Sequence, residues 1–277
     1  MFKTILVHVD LSSHAPARMR YAASLAHAHG SHLVGAAMLG VSRTMFPNGD
    51  AAPPATLGAS CFDPLSDNAK RALARFEAIA TTMQVPHDTR LVYDQAADGL
   101  ALLARFADLA VVSQDDSAES TPDTAVRLPE YVILNSARPV LVVPRADPLP
   151  LVAPKVLVAW DGSKEASCAL SASIPMLRRA SEVIVATLAA PDADEAGSMA
   201  EQPDLVNFLA RHGVTAQIML RVQQHDAGHE LLSMARELRC EVLVMGCFGH
   251  TRFRELCLGG ASRTVLAEAN IPVLLAH

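Results

Sequence analysis

The chain states one pattern twice, and a sequence that repeats itself at half its length must fold as two copies of one architecture. An apolar segment ending in aspartate opens each half: Ile5–Asp10 (ILVHVD) and Val156–Asp161 (VLVAWD). A short Pro-Val segment closes each half: Arg138–Val143 (RPVLVV) and Ile271–Ala276 (IPVLLA). Late in each half the register is explicit, because Ala107–Ser113 (ADLAVVS) aligns with Cys240–Gly246 (CEVLVMG) and the distance to the closing segment is the same. This sets Gly246 opposite Ser113, Gly249 opposite Asp116, Gly259 opposite Val126 and Gly260 opposite Arg127. The backbone plan is kept in both halves, while every loop glycine of the second is replaced in the first.

Between these landmarks each half alternates short apolar runs with segments of helical spacing. In the first half strands are expected at 4–9, 32–39, 87–93, 109–113 and 139–143, with helices at 15–29, 66–84, 98–106 and 129–137. Gly30 reads as a helix C-cap, and Pro129 suits the first turn of a helix. A Pro/Gly-rich stretch from Arg43 to Pro64 reads as a long irregular loop or lid. The second half repeats the order, with strands at 156–159, 183–188, 216–222, 242–245 and 272–275 and helices at 165–179, 203–212, 227–238 and 261–269. Alternation of this kind implies an α/β fold of two tandem doubly wound domains, because parallel strands need helical crossovers and are buried on both faces. The expected boundaries are 1–146 and 154–277, joined by a proline-rich linker.

Composition narrows the function. Net charge is −6 and no Lys/Arg block stands out, which argues against nucleic-acid binding; Lys70-Arg71 and Arg178-Arg179 read as solvated helix positions. No apolar run reaches the roughly 18 residues of a membrane helix, and Met1–Val7 leads straight into a strand without a signal peptide, so a cytoplasmic protein is expected. The five cysteines, Cys61, Cys168, Cys240, Cys247 and Cys257, contain no CxxC and form neither a disulfide framework nor a zinc site. Cys168 and Cys240 are expected in the core, whereas Cys247, inside a glycine loop, is the one candidate redox thiol. The histidines 27, 29, 32, 225 and 229 read as surface or helix-capping residues, and no metal site is expected.

The candidate site lies in the second half. Gly246 and Gly249 follow an apolar strand, and Gly259 and Gly260 precede a helix whose first turn holds Ser262. Glycines permit positive φ and close approach, successive amides can form a concave anion site, and a helix start adds free N–H groups. Ser262 can add a hydroxyl donor. These parts suit a di- or triphosphate; a Walker A loop is excluded because no GK[ST] follows. Asp161, at the carboxyl end of a central strand, is placed either to accept from a ribose or base, or to make an Asx turn or helix cap. For Asp10 the cap is the favoured reading. His250, Arg252 and Arg254 lie beside the loop, where one of them could meet a terminal phosphate.

The order strand–Asp161-Gly162-Ser163–helix, then Gly246-x2-Gly249-x9-Gly259 and a terminal Pro-Val strand, resembles the universal stress protein family, as a tandem pair covering the whole chain. The resemblance implies in each half a five-stranded parallel sheet of order 3-2-1-4-5. It also implies that the second half follows the ATP-binding branch, with Gly246, Gly249 and Gly259 donating backbone N–H groups to phosphate, Ser262 matching a loop-to-helix hydroxyl and Asp161 lying beside the adenosine. Gly260 departs from the family pattern, which has Ser or Thr there. The family's pairing through last strands implies an intramolecular pseudo-dimer, and two chains could associate further. The expectation is therefore a stress-response protein binding ATP, alone or with Mg²⁺, in its second half only, with a structural or regulatory first half, no catalytic residue in evidence and slow hydrolysis at most. The alternatives are a nucleotide-free interaction scaffold and a small-molecule or redox sensor built on Cys247 and the long loop.

Overall fold

The computed structural model describes residues 1–42, 63–116, 127–146, 148, 152–189, 202–249 and 260–277. The chain divides into two compact units, Phe2–Leu151 and Val152–His277.

The first unit runs β1 (Thr4–His8), α1 (Ala15–His29), β2 (His32–Met38), α2 (Asp63–Thr82), β3 (His87–Val92), α3 (Ala96–Ala104), β4 (Leu109–Ser113), α4 (Leu128–Ser136) and β5 (Val140–Val143). Its five strands are parallel in the order β3-β2-β1-β4-β5. Central β1 and β4 are apolar on both faces because helices cover both; β3 reads HDTRLV, alternates exposed with half-buried positions, and sits at the end of the order. Gly30 ends α1 in the left-handed conformation (φ 60°), its N–H bonded to His27 O and that of Ser31 to Ala26 O, as the sequence predicts. Gly35 in β2 is set by space: a Cβ there would stand 2.5 Å from the Phe76 ring of α2.

The second unit runs β6 (Lys155–Ala159), α5 (Lys164–Leu177), β7 (Glu182–Ala189), α6 (Gln202–Arg211), β8 (Gln217–Val222), α7 (Ala227–Glu237), β9 (Val242–Gly246), α8 (Ala261–Glu268) and β10 (Val273–Ala276). Its parallel order is β8-β7-β6-β9-β10, the same 3-2-1-4-5 plan. The repeat holds to the residue: Ile5 faces Leu109 as Val156 faces Val242, and Ala110 faces Val140 as Leu243 faces Val273. Ser113 and Gly246 each end the fourth strand of their unit.

The order places a topological switch point between β1 and β4, and another between β6 and β9, which is where ligands enter open α/β sheets. Most helix ends fall within two or three residues of expectation. Two side-chain expectations fail. Cys168 is exposed, because it lies on the outer side of α5, whereas Cys240 is buried. His29 is buried against Phe2, with ring centroids 5.0 Å apart, so the apolar stripe of α1 reaches its last turn.

Candidate functional site

The two switch points carry different chemistry on one backbone. In each, the aspartate after the first strand makes the same turn: Asp10 Oδ1 accepts from Ser12 N at 3.0 Å and Asp161 Oδ1 from Ser163 N at 3.0 Å. In the second unit Ser163 then caps α5, its hydroxyl accepting from Ala166 N at 3.1 Å. Asp161 is exposed and makes an Asx turn; Ser163 is the cap. A carboxylate has about four lone-pair sites, so this turn leaves acceptor capacity on Asp161.

The N-terminal switch point is filled by side chains of its own. Arg18, on α1 and only 2% exposed, donates through Nε to His8 O (2.8 Å) and through Nη1 to Ser113 Oγ (2.6 Å). Its Nη2 stands 3.0 Å from Asp10 Oδ1 as an ion pair. Burial alone would raise the Asp10 carboxyl, but the charges of Arg18 and His8 and two bonds from Ser12 outweigh it and hold the group well below the usual carboxylate range. Burial pushes His8 down from 6.5 to about 4, so its imidazole is neutral at pH 7 although Asp10 Oδ2 lies 3.4 Å away. Beside this cluster, His14 Nε2 meets Asp116 Oδ2 at 2.8 Å. Asp10 thus serves an Asx turn and a buried ion pair; the helix cap position belongs to His14.

The repeat register converts this cluster into small residues in the second unit. His8, Arg18, Ser113 and Asp116 become Ala159, Ala169, Gly246 and Gly249, with Asp161 retained for Asp10. Gly246 is required by packing: a Cβ there would lie 2.4 Å from Ala166 N and 2.4 Å from Glu165 C. The start of α5 therefore rests directly on the end of β9. Gly249 faces the Glu165 carboxylate, whose Oε2 would be 2.6 Å from an added Cβ. Neither glycine has positive φ. The left-handed residue of the described loop is Phe248, at φ 59°.

The loop amides are only partly available to a ligand. Cys247 N–H donates to Ala276 O at 3.0 Å, a ladder bond that recurs as Gln114 N to Val143 O in the first unit. Phe248 N–H donates to Ser262 Oγ at 3.4 Å, so the buried Ser262 ties the loop to α8 by accepting, and its hydroxyl proton remains to be donated. Gly260 is the N-cap of α8, and its carbonyl accepts from Arg263 N (2.9 Å) and Thr264 N (3.3 Å). The preceding amides, Ala261 and Ser262, belong to the first turn, where N–H groups lack intrahelical acceptors. α8 is held in place by Asp226, which caps α7 through Gly228 N and His229 N and also accepts from Thr264 Oγ1 at 3.1 Å. Gly259, His250, Arg252, Arg254, Cys61, Cys257 and residues 43–62 lie outside the described residues.

Cys247 does not present a reactive thiol. It is 2% exposed and its Sγ lies 3.2 Å from Ala276 O. Among the described residues no group of three His, Cys, Asp or Glu side chains could hold a metal, and no helix is long and apolar enough to cross a membrane.

Residues 153–277 match the model of the universal stress protein family. This half of the chain is a universal stress protein domain. The fold of the whole chain is that of a universal stress protein from Archaeoglobus fulgidus DSM 4304, with a TM-score of 0.73 at 14% identity, covering 99% of this chain and 95% of that one. A functionally unknown protein from Pseudomonas aeruginosa PAO1 is similar at TM-score 0.60 and 16% identity (99% and 92% covered). A putative universal stress protein from Pseudomonas aeruginosa UCBPP-PA14 is similar at TM-score 0.59 and 16% identity (99% and 93% covered). No curated protein matches the chain.

Sequence reasoning assigned Asp161, Gly246, Gly249, Gly259, Gly260 and Ser262 to one site; in the structure Asp161 follows β6, Gly246 ends the adjacent β9, Gly249 faces Glu165, and Gly260 and Ser262 open α8. It missed Arg18 and Glu165. The signal for Arg18 was a charge inside the apolar stripe of α1, between Ala15, Met19 and Ala22. Glu165, at a helix start, reads as a residue that favours the dipole, and gave no signal of its burial.

Proposed function

We propose that the chain is a tandem stress-response protein that binds ATP or a related adenine nucleotide in its C-terminal unit, with the N-terminal unit as a structural or regulatory partner. The observation that carries the reading is the contrast between the switch points. One is filled by Arg18, His8, Ser113 and the His14–Asp116 pair, and the other holds Ala159, Ala169, Gly246 and Gly249 at the same positions. The phosphates are assigned to Gly249 and the first turn of α8, where amides, the helix dipole and the Ser262 hydroxyl favour an anion. The ribose or base is assigned to Asp161. Bound nucleotide supplies a polyanion for these groups to orient, and no residue is assigned as a general base, so hydrolysis is slow.

The test is a titration of ATP with Mg²⁺ against the full chain and against Gly260→Asp. Gly260 has N-cap geometry (φ −61°, ψ 160°), so aspartate there caps α8 while setting a negative charge at the phosphate end. One nucleotide per chain is expected, with binding abolished in the variant and its melting temperature unchanged or raised. Two nucleotides per chain would contradict the filled N-terminal site. A second reading, a nucleotide-free scaffold, is favoured by the commitment of the Cys247 and Phe248 amides to protein acceptors; it predicts no ATP binding at millimolar concentration.

A further inference from the structure

We propose that Glu165 is the protein's ligand to a divalent cation that accompanies the nucleotide phosphates in the C-terminal unit. The inference rests on the nucleotide reading above. Its starting point is a buried carboxylate whose hydrogen bonding is incomplete. Glu165 is 3% exposed, and its Oε1 is buried with no hydrogen-bond partner. Its charge partner is the adjacent Lys164, whose Nζ lies 3.2 Å from Oε1 on a side chain that is 83% exposed. The other oxygen, Oε2, is turned toward Gly249, which has no side chain to meet it. A buried carboxylate is retained where something of opposite charge or with donors completes it.

The N-terminal unit shows what completes the position when the protein does so itself. By the repeat register, Glu165 corresponds to His14 and Gly249 to Asp116. There the two side chains close on each other at 2.8 Å, a proton donor against an anion. In the C-terminal unit the anion stands on the helix and its counterpart has been reduced to glycine, so among the described residues only the exposed Lys164 complements it, and a bound cation would complete the position. A carboxylate beside a phosphate cradle would repel a bare triphosphate. A hard divalent cation removes the conflict, because Mg²⁺ is typically held by one or two carboxylates together with phosphate oxygens and water.

The test measures ATP binding to the full chain by calorimetry, in Mg²⁺ and in EDTA, for the wild type and for Glu165→Gln. The wild type is expected to bind ATP about tenfold or more tightly with Mg²⁺, and the substitution to cut that ratio to about two, chiefly by improving binding of metal-free ATP. Electron paramagnetic resonance of Mn²⁺ with ATP supplies an independent readout, with a protein-bound spectrum in the wild type that reverts toward free Mn²⁺·ATP in the variant. Glu165→Asp keeps the charge one methylene further back, and its Mg²⁺ preference is expected to persist; it replaces Glu165→Gln in the test if circular dichroism shows the latter unfolded, the expected sign then being weaker Mg²⁺·ATP binding than wild type. Equal wild-type affinities in Mg²⁺ and EDTA, or a ratio that substitution leaves unchanged, would overturn the assignment while leaving nucleotide binding intact. No ATP binding to the wild type in either buffer overturns the nucleotide reading, and this inference with it.

Discussion

His14 and Asp116 meet at 2.8 Å across the N-terminal switch point, and the residues at their positions in the other unit, Glu165 and Gly249, face each other as a carboxylate against a bare backbone. One backbone plan thus carries a closed polar contact in one copy and an incomplete one in the other. The same asymmetry runs inward, where Arg18 and Ser113 are answered by Ala169 and Gly246. Duplication followed by filling of one site would leave this pattern, with the strand registers unchanged.

The Arg18 guanidinium is the centre of the filled site, so its removal is expected to be costly. Arg18→Met would leave Asp10 with Ser12 and the neutral His8 and take the Arg18 donors from Ser113 Oγ and His8 O. Removing one member of a buried ion pair costs about 3 kcal/mol. Urea denaturation of the full chain should show a loss of that order. A loss within experimental error would mean that the cluster contributes nothing net, and that Arg18 is replaceable filling.

Acid should weaken the same region. Burial lowers the His8 imidazole from 6.5 to about 4. The folded chain therefore keeps His8 neutral over a range in which an unfolded chain binds a proton. The stability linked to His8 is complete above its unfolded pKa of 6.5 and is lost as pH falls toward the folded value near 4. A shift of that size is worth on the order of 3 kcal/mol. The readout is the difference between wild type and His8→Gln in denaturation free energy, since other titrating groups cancel. That difference should change between pH 7 and pH 4.5, with the wild type losing more. Parallel curves would remove His8 from the account.

The fold was legible because its signals are local and doubled. Apolar runs, helix spacing and the Ser113–Gly246 alignment needed no knowledge of distant contacts, and the strand registers follow the alignment. The site was legible in its parts and less so in their roles. Glycines were expected to supply positive φ, yet Phe248 takes the left-handed conformation and Gly246 is needed because α5 lies against it. That contact joins residues about 80 positions apart, and nothing near Gly246 in sequence announces it. Ser262 was read as a donor to phosphate, while its oxygen accepts from Phe248 N–H, a bond that depends on how the loop is folded. Glu165 is buried for the same reason: its neighbour is created by tertiary packing.

Thiol chemistry gives a direct check on the buried loop. Cys168 is exposed, Cys247 is 2% exposed with its sulfur on Ala276 O, and burial pushes the Cys240 thiol up to about 11. A thiolate is the reactive form, so Cys240 is doubly protected. Brief alkylation of the native chain with iodoacetamide, followed by peptide mass spectrometry, should label Cys168 well before Cys240 and Cys247. Early labelling of Cys247 would restore the redox-sensor reading of the glycine loop.

The two loop glycines should differ sharply when each is replaced by alanine, and the reason lies in what each new methyl group meets. At Gly246 the obstacle is main chain, Ala166 N and Glu165 C, both 2.4 Å from the added carbon. Main chain at the start of a packed helix cannot swing aside, so α5 must shift from β9. Overpacking of this kind costs about 1–3 kcal/mol, and a rigid backbone obstacle puts Gly246→Ala at about the upper end. At Gly249 the obstacle is Glu165 Oε2 at 2.6 Å, the end of a side chain that can rotate. Gly249→Ala should therefore cost about 1 kcal/mol or less in stability, within the range of ordinary substitutions. Its larger effect should fall on Mg²⁺·ATP affinity, because the methyl group occupies the space between the carboxylate and the loop. Thermal melts and ATP titrations on both variants test the pair. Equal destabilisation by the two would mean that Glu165 is as immobile as the helix backbone, and unchanged ATP affinity in Gly249→Ala would place the phosphates elsewhere.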